Sequence, residues 1–453
     1  MTADTSSWID TVRGDETGLV IPAHPQALLD MGVDFLTRGF QAFGALEADN
    51  RVTRLSARAC PGGSTGQKLL LDVEYLHPGA HLHQNLFVKF SRDFTDLVRD
   101  TRGKYEMQTE IRLAELSRLD AFPIAVPRPY FADYQATSKT GLLITQCIPF
   151  GEGEVEPHYP KCMDHRLESP EAYYHTIVTN LARLSGTHRA GLLSPQVEAL
   201  FPYDREASIA ATRIGRDSSE LARDIVALKS FVLEHPRLVP THLRSPMFLS
   251  RFARQALRFH AHQDAIARFL QSDPQFVAMC HWNANIDNAW FWRDPSGELK
   301  CGLLDWGHAG QMNVAFALWG SISAAHQDVW QIHLDSLIER FMTVLHESGG
   351  PLLKREALRL HLLSYVGLMG LGYFLQSPDR ILRQFPTIAD ASGPRDPAFG
   401  QHDSARNQLH ILTMFLDLWS RNDFDRVIDD VLRSQADPRP ERPDTEVLNH
   451  AKH

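Results

Sequence analysis

The sequence has no excess of basic residues: 46 Lys plus Arg stand against 55 Asp plus Glu, a formal charge of −9. Such a chain lacks the field that gathers nucleic acid or an anionic membrane surface, so neither is expected as a partner. Phosphate ligands stay open, because backbone amides, a few local cations and a divalent metal can hold phosphate inside an acidic protein. Cysteine is sparse. Cys60, Cys147, Cys162, Cys280 and Cys301 include no C-x-x-C pair, which argues against a disulfide framework or a zinc ribbon. No run of eighteen apolar residues occurs, and the opening MTADTSSWIDTVRGDE carries acids and no apolar core, unlike a secretory signal. The expectation is a soluble, cytoplasmic protein. There is no internal repeat, and nothing indicates an oligomeric state. With 43% hydrophobic and 22% charged residues the composition is that of an ordinary globular protein, long enough for two large lobes sharing a cleft.

Residues 1–50 read as an N-terminal helical extension, with Leu28, Met31 and Phe35 at helical spacing. From Arg51 the period shortens to that of strands. Val52, Leu55, Ala57 and Ala59 lead to Pro61-Gly-Gly-Ser-Thr-Gly66, after which Leu69, Leu71, Val73 and Tyr75 alternate with polar neighbours. A third strand spans Asn85–Phe90, a helix covers about 105–119, and two more strands cover 129–134 and 141–145. The expected small lobe is therefore an antiparallel sheet with one helix, over 51–146. Residues 147–435 are mainly helical, with amphipathic runs near 219–233, 249–271, 328–347, 354–375 and 404–434. Two short strand-like segments, Ala289–Trp292 and Lys300–Leu304, interrupt them. The last residues, 436–453, are rich in Pro, Asp and Arg and read as a disordered tail. The fold class is α+β and bilobal, with a small antiparallel-sheet lobe and a large helical one.

Gly62, Gly63, Ser64, Thr65 and Gly66 join two strands, and residues without a Cβ let backbone N–H groups approach phosphate oxygens. A glycine-rich hairpin turn is more often only a turn. The string also matches G-x-S-x-G, which would make Ser64 a hydrolase nucleophile, but that motif needs a strand-to-helix elbow and a strand follows here. The run Gly66-Gln-Lys68 fails the P-loop spacing. Lys89 stands alone as a charge in an apolar strand, where burial is costly without a partner. Glu110 on the following helix can supply one, with Glu106 a turn earlier as the weaker candidate. Downstream, His281-Trp-Asn-Ala-Asn-Ile-Asp-Asn288 is followed by Asp305 in Leu303-Leu-Asp-Trp-Gly-His308. The amide oxygen of Asn288 and the carboxylate of Asp305 are hard oxygen donors suited to Mg²⁺ that also binds phosphate.

These residues resemble the aminoglycoside phosphotransferase, choline kinase and ecdysteroid-kinase-like group, distant relatives of protein kinases. That group carries H-G-D-x-x-x-x-N, a hairpin, and then two hydrophobic residues before D-[WF]. The resemblance covers roughly residues 51–330 and implies a protein-kinase-like fold, ATP and Mg²⁺ as cofactors, and a small-molecule hydroxyl as phosphoryl acceptor. It places His281 and Asn283 in the catalytic loop, Asn288 and Asp305 on the metal, and Lys89 on the α- and β-phosphates with Glu110 holding it. It also places Gly141–Cys147 as the strand leading to the adenine-binding hinge, so that Gln146 and Cys147 meet the nucleotide. Leu181–His188 resembles the helix before the catalytic loop.

One departure matters. Where the group has the Asp that accepts the hydroxyl proton, this chain has Asn283. An amide orients a hydroxyl but takes no proton, and general-base catalysis is typically worth about 10²- to 10⁴-fold. The alternative to a phosphotransferase with an atypical loop is thus a catalytically impaired pseudoenzyme that binds nucleotide or a partner. Asp287 is the nearest carboxylate available to substitute as a base. His281 is expected to hydrogen-bond the loop backbone as a neutral imidazole. The family's later Asp is also missing from Gln311–Leu318. His308, His81 with His83, and His260 with His262 read as ordinary surface or loop histidines, and Arg92, Asp93, Asp96, Arg99 and Asp100 as a solvated loop or helix face. Trp282 and its neighbouring aromatics are core or the wall of an apolar acceptor pocket. Acceptor specificity is expected to come from the helical insert between His188 and His281.

Overall fold

The computed structural model describes residues 8–60 and 62–436. The tail expected over 436–453 lies outside the described residues apart from Ala436, which closes the last helix. In the upper lobe the elements run β1 (Thr11–Arg13), β2 (Val20–Pro22), α1 (Pro25–Ala42), β3 (Val52–Ala59), β4 (Lys68–Tyr75), β5 (Asn85–Phe90), α2 (Leu97–Leu116), β6 (Pro129–Gln135) and β7 (Thr140–Gln146). The lower lobe begins with α3 (Pro170–Arg189). An insert follows, made of α4 (Val197–Leu200), α5 (Arg205–Thr212), α6 (Ser218–Glu234), α7 (Pro246–Ala261) and α8 (Gln263–Leu270). Then come β8 (Val277–His281), β9 (Ala289–Arg293), β10 (Leu299–Leu303), β11 (Ala309–Asn313) and α9 (Val314–Ile322). The chain ends with α10 (Leu334–Glu347), α11 (Arg355–Tyr373), α12 (Ser377–Gln384), α13 (Asp403–Arg421) and α14 (Phe424–Ala436).

The upper lobe is a five-stranded antiparallel sheet in the order β3-β4-β5-β7-β6. Its alternation is that of a sheet with one face on a core: Leu69, Leu71, Val73 and Tyr75 of β4 are buried while Asp72 and Glu74 are exposed. The N-terminal extension is part of this lobe. Ile21, Leu28, Phe35, Leu36 and Phe40 share one apolar core with the sheet, and α1 is broken at Gly32, whose φ is +58°. A short β1–β2 hairpin precedes α1, where only helix was expected; strands of three residues are too short to show a period.

Helix α2 begins at Leu97, eight residues before the expected start, because the Asp96 side chain caps it by accepting from the Val98 and Arg99 amides. The segment ahead of it corrects the expectation of a solvated face. Arg92, Asp93 and Asp100 are buried, with Arg92 Nε 2.7 Å from Asp100 Oδ1 and Lys104 Nζ 2.8 Å from its other oxygen. Charge pattern alone does not distinguish a solvated run from a paired buried one. At its other end α2 leaves the upper core: Leu113 and Leu116 pack with the lower lobe's core.

The lower lobe is helical, built on α3, α9, α11 and α13. The 30 residues Arg355–Gln384 are apolar and long enough by composition to cross a bilayer, but 72% of their most apolar stretch is buried inside the lobe, as in a core helix. Two strand pairs sit at the lobe's upper face, β9 with β10 and β8 with β11. The second pair is not legible in the sequence, because β11, Ala-Gly-Gln-Met-Asn, carries no alternation.

Candidate active site

The two hairpins bring distant residues together. His281 ends β8 opposite Ala309 at the start of β11, and Ala289 at the start of β9 faces Leu303 at the end of β10. The loops 282–288 and 304–308 therefore leave the same end of both pairs, and the Leu304 amide donates to the Asn288 carbonyl at 2.8 Å. Above them, Lys89 of β5 is 4% exposed and lies between two carboxylates. Its Nζ pairs with Glu110 of α2 and stands 3.0 Å from Asp305 Oδ1, across 216 positions of sequence.

Electrostatics follow from that bridge. Lys89 is buried, which disfavours its charge, but Glu110 and Asp305 outweigh burial and hold its pKa up. The Lys89 charge holds the Asp305 carboxyl well below the usual range. Burial pushes Glu110 up against the pull of Lys89, with the Asp305 charge adding to the rise. Asp305 adopts a left-handed backbone, φ +58° and ψ +64°, rare for a residue with a Cβ. This turn aims its carboxylate at Lys89 while leaving the side chain 44% exposed.

Within the loop 282–288, His281 is buried and held between two partners: Nε2 meets the Leu304 carbonyl at 2.8 Å and Nδ1 accepts from the Asn283 amide at 3.2 Å. Burial lowers its pKa to about 4, so it is neutral at physiological pH. Asn285 Nδ2 donates to Asn283 Oδ1 at 3.1 Å, and Asn288 Nδ2 donates to the Asn283 carbonyl at 2.8 Å. The Asn283 amide thus presents its N–H₂ group as the free end, and Asn288 keeps its Oδ1 free. Asp287 turns to Lys161 at 3.6 Å, with Oδ1 buried and without a hydrogen bond, and burial raises its carboxyl pKa. Helix α9 closes on this loop from below: a Cβ on Gly320 would sit 1.5 Å from the Trp282 carbonyl oxygen, so only glycine fits there.

Gly62, Gly63 and Ser64 are exposed, whereas Thr65 and Gly66 are buried, and β4 follows the loop. A strand after Ser64 leaves no elbow for a nucleophilic serine. At Gly66, φ is +48° and a Cβ would lie 1.8 Å from the Phe90 carbonyl oxygen. The Gly66 amide donates to the Arg99 carbonyl at 3.0 Å, and the Gly62 carbonyl accepts from Arg99 Nη2 at 2.8 Å and Lys68 Nζ at 3.4 Å. The residues expected at the hinge, Gln146 and Cys147, have their backbone amides engaged. The Gln146 amide donates to the Arg128 carbonyl at 2.8 Å and the Cys147 amide to the Asn85 carbonyl at 3.1 Å. Neither amide is free to donate elsewhere, and the Gln146 carbonyl and side-chain oxygen also accept, from Thr145 Oγ1 at 3.2 Å and the Arg128 amide at 3.4 Å.

Two residues escape a reading of the sequence. Lys68 pairs in register with Lys89, so both lysines project from the same face of adjacent strands. Burial and the Lys89 charge lower its pKa, and the Asp305 and Glu110 charges act on it in the opposite sense. Arg99 is the second. Only the strand register reveals Lys68, and only the early start of α2 brings Arg99 under the loop. Glu106 lies 3.6 Å from His308 instead of on Lys89. Among the described residues no cluster of three His, Cys, Asp or Glu could hold a metal alone.

No protein-family profile matches the chain, and no curated protein matches it. Solved structures do. The chain is similar to a choline/ethanolamine kinase family protein from Mesorhizobium loti, at 14% identity over 83% of this chain and 92% of that one, with a TM-score of 0.40. It is similar to a Plasmodium vivax ethanolamine kinase at 12% identity, over 83% and 84% of the two chains, TM-score 0.39. A microcompartment-associated aminopropanol kinase matches at 13% identity over 86% and 97%, TM-score 0.39.

Proposed function

We propose that the chain is a phosphotransferase that moves the γ-phosphoryl group of ATP, with Mg²⁺, to a hydroxyl of a small molecule. One observation carries the reading: a buried lysine bridges a carboxylate of its own lobe and a carboxylate of the other, with a second lysine opposite it in register. Like charges directly opposite on neighbouring strands are destabilising unless an anion lies between or over them. Lys68 and Lys89 together make a cationic floor for a polyphosphate, and Gly63, beside the Lys68 ammonium, and Ser64 are exposed.

The donors present fit Mg²⁺. Asn288 Oδ1 and the second oxygen of Asp305 have no protein partner among the described residues, and both are hard oxygens on adjacent loops. Mg²⁺ is commonly held by one or two protein oxygens with phosphate oxygens and water completing the shell. Bound there, it would neutralise charge on the transferring group. Lys89 would hold the α/β end of the chain, and Glu110 and Asp305 would hold Lys89. The Asn283 N–H₂ group donates a hydrogen bond and so can fix the oxygen of an acceptor hydroxyl, without accepting its proton. Transfer then rests on positioning and charge neutralisation, which supply most of the rate enhancement in phosphoryl transfer. Five unpaired cysteines and the use of ATP suit a cytoplasmic setting.

Titration calorimetry with Mg·ATP tests this. Asp305→Ala is expected to abolish binding and Lys68→Gln to weaken it at least tenfold. Unchanged affinity in Asp305→Ala would overturn the metal assignment. The second reading, a nucleotide-binding pseudoenzyme, is favoured by Asn283; it predicts binding without transfer.

A further inference from the structure

A cleft of about 400 Å³ opens beside the loop that carries Asn283. Trp282, the residue before Asn283, forms one wall; Phe316, Tyr365 and Met369 form another, and Thr212 and Arg213 close it from the insert. Its chemistry is uneven. Among its lining residues there is no Asp, Glu or His, and the single charge, Arg213, is already paired with Asp264 at 2.7 Å. An ammonium placed here would lose water and meet no carboxylate, which is costly. Part of the aromatic surface is already used: Phe316 and Tyr365 stack on each other at 3.8 Å and 17°, which takes one face of each, and Arg380 lies over the Tyr373 ring at 4.3 Å.

One polar group does point to a ligand. Tyr365 Oη accepts from Trp282 Nε1 at 2.7 Å, and its own hydrogen has no protein acceptor among the described residues. The size suits a small ligand of the usual kind, since such pockets span roughly 300–1,000 Å³. We infer that this cleft binds the phosphoryl acceptor, and that the acceptor is an uncharged alcohol with an apolar body and one hydrogen-bond acceptor for Tyr365. The role as acceptor site rests on the function proposed above; the ligand class rests on the lining alone.

Gly372 supplies a test that leaves the catalytic loop untouched. It lies on α11 at the cleft, and the nearest atom to a Cβ built there is Ile214 Cα at 3.7 Å. Gly372→Leu therefore fills the cleft, and leucine is the better helix former, so the fold is retained. Calorimetry on the full chain would use 2-(6-methoxy-2-naphthyl)ethanol, whose ether oxygen can accept from Tyr365, with choline and glycerate, as uncharged, cationic and anionic probes, and Mg·ATP measured beside them. The expected result is that the naphthyl alcohol binds and accepts phosphate, that Gly372→Leu weakens it at least tenfold, and that Mg·ATP affinity is the same in both proteins. Preference for choline or glycerate, an unchanged naphthyl affinity in Gly372→Leu, or no probe bound by a protein that binds Mg·ATP would overturn the inference. Naphthyl binding that Gly372→Leu removes, in a protein that fails to bind Mg·ATP, would keep the ligand class and overturn the phosphotransferase reading instead.

Discussion

Removing the cation from the Lys89 bridge should cost stability in a way that depends on pH. In Lys89→Met, Asp305 is 44% exposed and can be solvated, but Glu110, 5% exposed, is left as an uncompensated buried carboxylate. Its escape is to bind a proton. At pH 7 that costs about 1.36 kcal/mol for each unit above an ordinary Glu pKa of about 4.3, or about 3.7 kcal/mol. This sets a ceiling within the ~3–5 kcal/mol expected for breaking a buried ion pair. At pH 5 the same step costs only about 1 kcal/mol. Urea unfolding followed by circular dichroism at both pH values would show a large loss at pH 7 that mostly disappears at pH 5. Lys89→Met combined with Glu110→Gln should be more stable at pH 7 than Lys89→Met alone, since the stranded charge is gone. An equal loss at both pH values, or a double variant no better than the single, would refute the reasoning.

Asn283→Asp should fold normally, because Asn285 Nδ2 can donate to a carboxylate as it does to the amide. Measured ATP turnover is expected to rise, by up to about 10²-fold, as a proton acceptor is restored; a fall would mean that the amide is suited to chemistry of its own. His361 is stacked on Phe276 at 3.8 Å, and burial lowers its pKa to about 3. The unfolded chain therefore binds a proton below about pH 6.5 that the folded one refuses, and stability falls as pH drops through that window. Between pH 7 and 5 the loss from this residue is about 2 kcal/mol. Unfolding of His361→Gln, in which the side-chain oxygen can still accept from Asn313 Nδ2, should show a pH dependence weaker by that amount; identical pH profiles would contradict the assignment.

Much of the layout is legible because burial leaves a period. The alternation of Leu69, Leu71, Val73 and Tyr75 marks a half-buried strand, and a lone lysine in Leu86–Phe90 marks a charge in need of partners. What cannot be read depends on register and on long separations. Nothing in the order of residues says that Lys68 stands opposite Lys89, or that Tyr365 reaches Trp282 across 83 positions. The charged run from Arg92 to Asp100 misleads for a related reason: exposed and paired charges look alike until the acceptors are in place. Helices broken by a single residue or two, as at His262 between α7 and α8 and at Asn422–Asp423 between α13 and α14, keep one apolar stripe and read as continuous.

Helix α2 has its roots in the lower lobe through Leu113 and Leu116 while Glu110, less than a turn away, grips a lysine on the upper sheet. The same helix is packed in the upper core as well, through Met107, Ile111 and Ala114, so it fastens the two halves to each other. The Lys89–Glu110 pair is thereby carried by an element that both cores share.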